Sequence, residues 1–337
     1  MAKSSPSLTL LLAAALAVLP ATVHGAKKKK APVTKIQPAA KTKRTPAPDD
    51  APATTPALPG ATPRPRMEDL EQILAASDTA GLPLAARGAI VIDAHSGASL
   101  YEKNADEPQF PASTTKILTA LLVIEAGDLD REVECNLEDS KVGESTLELK
   151  PGQRFTRRQM LYGLMLKSAN DVAHALGRDN AGSIQAFAEK MTLRAAELGA
   201  KTAHFTNPNG LHDLVHYCSP RDLALIARAA MQQPLFRQIV STRSYDWVGA
   251  DGVVRPLSNH NRMLQRFPGC TGVKTGYTIP AQQVLVSAAL REGREVIAVV
   301  MHTDKPGIWD DSTLLLSYGL RRPPGTPISA AEKGGTP

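Results

Sequence analysis

Apolar positions recur along the chain in two rhythms. Near residue 90, "GAIVIDAHSGASLYEK" contains two short runs rich in Ile, Val and Tyr, interrupted at His95-Ser96-Gly97. That pattern predicts two strands around a turn. "VLVSAAL" and "EVIAVVMHT", joined by "REGR", predict a second pair far down the chain. Between the pairs the spacing is helical. Ile117, Leu118, Leu121, Leu122, Val123 and Ile124 predict a helix beginning near Ser113, and Met160, Leu161, Leu164 and Met165 predict another. "SIQAFAEKMTLRAAELG" reads as a helix stopped at Gly199. "SPRDLALIARAAM" carries its own start signal: Ser219 as N-cap, Pro220 in the first helical position and Asp222 in the first turn. "MEDLEQILAA" predicts a short leading helix, and the stretch from Trp309 to Leu320 a closing one. Strands near both ends with helices between predict an α+β fold. One antiparallel sheet is covered by helices, with a helical subdomain between the first and last strands.

Composition refines the boundaries. Of 337 residues, 42% are hydrophobic and only 4% aromatic, so the core has to be built from Leu, Val, Ile and Ala. Lys3, the apolar run from Leu8 to Leu19 and the small residues of "PATVHGA" form a signal-peptide pattern over residues 1–26, with a cut near Gly25 or Ala26. The run is short for a membrane span, which wants about 20 residues. An uncleaved N-terminal anchor is the other reading. Export to the periplasm or cell envelope, soluble after cleavage, is the expectation. Residues 27–66 are Lys, Ala, Pro and Thr with scarcely an apolar cluster. Such a linker cannot bury enough surface to offset its ordering entropy, and is expected to be disordered. The folded domain is expected over 67–322, followed by a disordered tail, 323–337.

The formal charge of +6 gathers largely in the linker. Its cluster Lys27–Lys30 is either a solvated tail or a weak contact for anionic wall polymer or lipid. With no recognition module, this charge gives no support for nucleic-acid binding. Cys135, Cys218 and Cys270 are an odd count without metal spacing. They read as small buried hydrophobes, one disulfide plus a free thiol being the alternative. No metal or cofactor is implied.

Three short motifs bring chemistry. Ser113 and Lys116 stand three apart at the head of an apolar helix, on neighbouring points of one face. A serine hydroxyl needs a partner to take its proton, and a lysine can do so only if burial and nearby cations lower its pKa. On this motif alone, an N-capping serine with a lysine reaching to water is the better-supported reading, because the pattern is common by chance. Ser168-Ala169-Asn170 falls where one helix ends and another begins, so relay-and-clamp groups and ordinary caps are both consistent. Lys274-Thr275-Gly276 is expected on a strand, where Gly276 leaves room for a ligand backbone and Lys274 and Thr275 can hold a carboxylate. An edge strand with a protective lysine is the plainer reading.

In this order, S-x-x-K, S-x-N and K-T-G resemble the serine D-alanyl-D-alanine carboxypeptidases, the low-molecular-mass penicillin-binding proteins. The resemblance covers about residues 80 to 320. It includes "HFTNPNGLHDLVHYCSPRDLALIARAAM", with Asn207, Gly210 and Asp222, and "NHNRML", with Asn259 and Asn261. The family often has S-G-N where this chain has Ser168-Ala169-Asn170, and a glycine where this chain has Gln282. The resemblance implies a β-lactamase/transpeptidase-like fold and a hydrolase of peptidoglycan stem peptides. Ser113, Lys116 and Ser168 would be catalytic; Asn170, Lys274, Thr275, Gly276 and Tyr277 would bind substrate; β-lactams would be covalent inhibitors. A class A β-lactamase needs a glutamate about 30 to 40 residues after the second motif, and "KTAHFTNPNGLHD" offers none. An endopeptidase cutting D-alanyl cross-links, or a non-catalytic wall-binding protein, remains open at this point.

Overall fold

A computed structural model describes residues 69–323. The expected signal peptide, the linker with Lys27–Lys30 and nearly all of the expected tail lie outside the described residues. α1 (Leu70–Ala80) precedes β1 (Gly88–Asp93) and β2 (Ser99–Lys103). The Asp93 carboxylate accepts from the backbone N–H groups of His95 and Ser96, and Gly97 takes φ +79, which completes the predicted turn. A 3₁₀ turn, Ala112–Thr115, runs into α2 (Lys116–Glu125). Then come β3 (Glu132–Glu134), α3 (Leu137–Ser140), β4 (Arg154–Thr156) and α4 (Arg157–Tyr162). α4 continues into a π turn, Gly163–Lys167, before α5 (Asn170–Ala181) and α6 (Ile184–Glu197). α7 (Pro220–Met231) starts as predicted: the Ser219 and Asp222 side chains form a reciprocal capping box around Pro220. α8 (Pro234–Ser241), the hairpin of β5 (Ser244–Val248) and β6 (Val254–Ser258), and α9 (Met263–Arg266) lead to β7 (Cys270–Thr278), β8 (Gln282–Arg291) and β9 (Arg294–Thr303). α10 (Gly307–Arg321) closes the described region.

The main sheet is antiparallel in the order β2-β1-β9-β8-β7. Both its faces are covered. Along β9, Val296, Ala298 and Val300 pack with Leu314, Leu315 and Trp309 of α10, while Ile297, Val299 and Met301 join the larger core of α2, α5 and α7. Successive side chains of a strand point to opposite faces, so a strand covered on both sides reads as a continuous apolar run. That is the reason "EVIAVVMHT" shows no polar alternation. β8 and β9 turn at Glu292-Gly293, both at positive φ as a tight hairpin of right-handed strands requires. Among the described residues all three cysteines are free, Cys135 and Cys218 being buried. No helix there is long and apolar enough to cross a membrane.

Candidate active site

The predicted helix does not start by capping on Ser113. The Ala112–Thr115 turn and α2 have no side-chain cap, so the Ser113 hydroxyl is left for other partners. Nor does Lys116 reach water; it is 0% exposed. Its Nζ lies 3.0 Å from Ser113 Oγ, 2.7 Å from Asn170 Oδ1 and 2.6 Å from the Asn209 carbonyl oxygen. Burial lowers the pKa of this amine well below the ordinary lysine value; the nearby Lys274 cation adds to the effect, and Glu144 and Asp171 oppose it. The plainer reading of the first motif, a capping serine with a solvated lysine, is thereby removed.

Ser168 sits between the π turn and α5 in a left-handed conformation, φ 63 and ψ 31, and is 6% exposed. A π turn of this kind is frequent at functional sites. Asn170 begins α5 and is held on three sides. Its Oδ1 accepts from Lys116, its Nδ2 donates to the Gly143 carbonyl and its backbone N–H donates to the Ser145 carbonyl at 2.7 Å. The neighbouring Asp171 accepts from the backbone N–H groups of Leu147 and Leu149, which ties the 143–149 loop to the second motif. Ala169, where the family often has glycine, turns its methyl into the core at 0% exposure.

Lys274, Thr275, Gly276 and Tyr277 lie on β7, the edge strand, as predicted. β7 presses against the turn that carries Ser113. A Cβ added at Gly276 would lie 2.9 Å from Ser113 N, 3.1 Å from the Pro111 carbonyl oxygen and 3.1 Å from Thr114 N. Only glycine permits that approach. Lys274 is 2% exposed, with Nζ 3.0 Å from the Thr275 carbonyl oxygen, while Tyr277 is 45% exposed. Gln282, at the other departure from the family pattern, adopts φ 56, the left-handed region that favours glycine. Its Nε2 donates to the Ile279 carbonyl at 2.6 Å.

Sequence reasoning missed the Asn209 carbonyl as the third partner of Lys116. A backbone acceptor has no residue signature, but Asn207 and Gly210 beside it do. Asn207 Oδ1 accepts from Gly210 N at 2.7 Å. Gly210, at φ +83, comes so near the turn that a Cβ would fall 1.8 Å from the Ala112 carbonyl oxygen. Asn259 braces the approach to β7 by donating to the Val240 and Thr242 carbonyls. Among the described residues no cluster of His, Cys, Asp or Glu is arranged to hold a metal ion.

An antiparallel sheet with helices on both faces, whose edge strand meets a turn bearing a serine, with a buried lysine heading the helix that follows, defines the DD-peptidase class of folds. The family model for D-alanyl-D-alanine carboxypeptidases, peptidase family S11, matches residues 75–305, and the chain belongs to that family. A D-alanyl-D-alanine carboxypeptidase of Mycobacterium tuberculosis is 36% identical over 237 residues, 68% of this chain and 81% of the relative. One from Bacillus subtilis is 34% identical over 68% of this chain, which spans only 60% of that relative. Among solved structures, a Streptomyces DD-transpeptidase is similar with a TM-score of 0.66 and 34% identity, over 70% of this chain and 97% of that one. A D-alanyl-D-alanine carboxypeptidase of M. tuberculosis gives 0.69 and 33%, over 79% and 96%.

Proposed function

We propose that the protein is a serine-type D-Ala-D-Ala carboxypeptidase that trims peptidoglycan stem peptides through an acyl-enzyme on Ser113. The observation that carries this reading is the 3.0 Å contact between Ser113 Oγ and the wholly buried Nζ of Lys116. A neutral amine has two hydrogens and one lone pair. Asn170 Oδ1 and the Asn209 carbonyl take the hydrogens, which leaves the lone pair for the Ser113 hydroxyl. Lys116 then accepts the proton as Ser113 Oγ attacks the carbonyl of the penultimate D-alanine. Ser168, helped by Lys274, returns a proton to the departing D-alanine. Lys274 and Thr275 hold the terminal carboxylate, and Asn170 the substrate amide. The backbone N–H groups of Ser113 and Tyr277 receive the oxyanion; removing one such donor typically costs about 100- to 1,000-fold in rate. Water then hydrolyses the ester and frees Ser113. A β-lactam presents the same carbonyl and carboxylate and acylates the same hydroxyl, so penicillins are inhibitors in this reading. Export by the N-terminal segment belongs to the proposal, and N-terminal sequencing of the secreted chain tests it.

The test is labelling with a fluorescent penicillin followed by digestion of purified muropeptides. The wild-type chain is expected to take up one penicillin and to release free D-alanine from pentapeptide stems. Ser113→Ala is expected to abolish both. Labelling that survives this substitution overturns the assignment, and cleavage of cross-links without release from uncross-linked stems replaces carboxypeptidase by endopeptidase.

A further inference from the structure

Behind the Ala112–Thr115 turn lies His216, 2% exposed and outside the three motifs. Its Nε2 is 2.9 Å from Thr115 Oγ1. Its Nδ1 is 3.1 Å from the backbone N of Thr206 and 3.3 Å from Thr206 Oγ1. A backbone N–H can only donate, so Nδ1 accepts and the single proton of the neutral ring sits on Nε2. Nε2–H therefore donates to Thr115 Oγ1. Phe205 stands edge-on to the ring, with centroids 5.4 Å apart.

The other side of Thr115 is equally confined. A Cβ on Gly210 would lie 2.9 Å from Thr115 Oγ1, and Thr115 itself is 1% exposed. Thr115 directly precedes Lys116 and closes the turn that carries Ser113. Adding a proton to Nδ1 would set two N–H donors against each other across 3.1 Å, leaving only the Thr206 hydroxyl to accept. The charged and titratable groups facing the ring are divided. Asp213 favours the imidazolium; His204, His212 and Lys116 oppose it; burial outweighs them all and lowers the ring's pKa to about 4.

We propose that His216 is a positioning residue for acylation: as the neutral Nε2–H tautomer it holds Thr115, and through it the turn that sets Ser113 Oγ against Lys116 Nζ, and protonation of the ring releases that turn. The inference rests on the reading of Ser113 as nucleophile and Lys116 as base.

The experiment is the pH dependence of penicillin acylation by the full chain and three variants, together with the ¹⁵N chemical shifts of the wild-type ring. Thr115→Val keeps the side-chain shape and removes the acceptor; His216→Leu removes both ring contacts; His216→Gln offers an amide donor that does not titrate. Loss of fine positioning near reacting atoms is worth about 10- to 100-fold. Thr115→Val and His216→Leu are each expected to slow the acylation step by about that factor with little change in the preceding binding constant. The double variant is expected to be no slower than the worse single one, because the two act as a unit. His216→Gln is expected to recover most of the loss at pH 7. In acid the wild-type rate is expected to fall with two protons, and that of His216→Gln with one. The ring proton is expected on Nε2. Wild-type rates in Thr115→Val and His216→Leu, strictly additive losses, an unchanged acid slope in His216→Gln, or a proton found on Nδ1 each overturn the proposal. If His216→Leu does not fold, Thr115→Val alone decides. A wild-type chain that takes up no penicillin overturns the reading of Ser113 and this inference with it; a normal wild type with unaffected variants overturns this inference alone.

Discussion

An amine with no exposed surface has lost the water that would stabilise its charge, and around Lys116 nothing replaces it in full. The carboxylates of Glu144 and Asp171 favour the cation, but burial and the neighbouring Lys274 prevail. Acylation is therefore expected to rise with pH as Lys116 loses its proton, on an acid limb lying well below the ordinary lysine range. Lys274→Gln removes a cation that lowers the Lys116 pKa, so the limb is expected to move to higher pH. Stopped-flow acylation with a chromogenic β-lactam across pH 5–9 reads both. Lys116→Arg keeps the charge but cannot give up its proton. A positioned general base contributes about 100- to 10,000-fold, and a loss in that range is expected, with the fold intact by circular dichroism. A near-normal acylation rate in this variant would remove Lys116 from its role.

Between elements, the decisive contact is β7 against the Ser113 turn. Gly276→Ala would bring a methyl to 2.9 Å from backbone that cannot swing away, so the strand or the turn must shift. Acylation is expected to fall about 100-fold, out of proportion to any change in melting temperature. At the start of β8, Gln282 holds a left-handed backbone that costs a residue with a Cβ roughly 1–2 kcal/mol. Gln282→Gly removes that cost, but it also removes the bond to Ile279 and adds chain entropy to the unfolded state. A net gain of up to about 1 kcal/mol in a urea titration is expected, and a loss would mean the side-chain bond outweighs the backbone strain. Elements with complete local signals were legible in the sequence. α7 announced its capping box, and β8 and β9 their apolar runs and turn. The hairpin of β5 and β6 was not, because the alternation is confined to Tyr245 and Trp247 in five-residue β5, and β6 buries Leu257 alone, too little pattern to separate a strand from a loop. The triplets of the site were legible for the same reason as α7: their chemistry sits in side chains at fixed spacing. The Asn209 carbonyl and the ring of His216 enter only through the loop that folds back on the turn, and no spacing in the sequence encodes that approach.

For the molecule as a whole, periodicity named the strands but not their order. β1 lies beside β9, joining the two ends of the folded region, and this pairing depends on contacts some 200 residues apart. Asp311 secures the same junction. From α10 its carboxylate accepts from the backbone N–H groups of Ala85 and Ala86, 226 and 225 residues away in the chain. Burial raises its pKa from 3.8 to about 6, although those two N–H groups and Lys103 pull the other way. A carboxyl group with a raised folded pKa binds its proton more tightly when folded than when unfolded. Its effect on stability therefore grows more favourable as pH falls from about 6 towards 4, and the ionised group is a liability above that window. The difference corresponds to on the order of 3 kcal/mol at most. Asp93, Glu102, Asp106 and Asp139 have lowered values, so they act in the opposite sense and at lower pH, where their protonation destabilises the fold. The two trends separate in Asp311→Asn, which cannot ionise. Denaturant midpoints from pH 4 to 7 are expected to show the wild type gaining on the variant as pH falls from about 6 towards 4, with the difference levelling off above 6. A wild-type minus variant difference that stays flat across this window would mean that Asp311 is already ionised at pH 4 and that its bonds to Ala85 and Ala86 outweigh its burial.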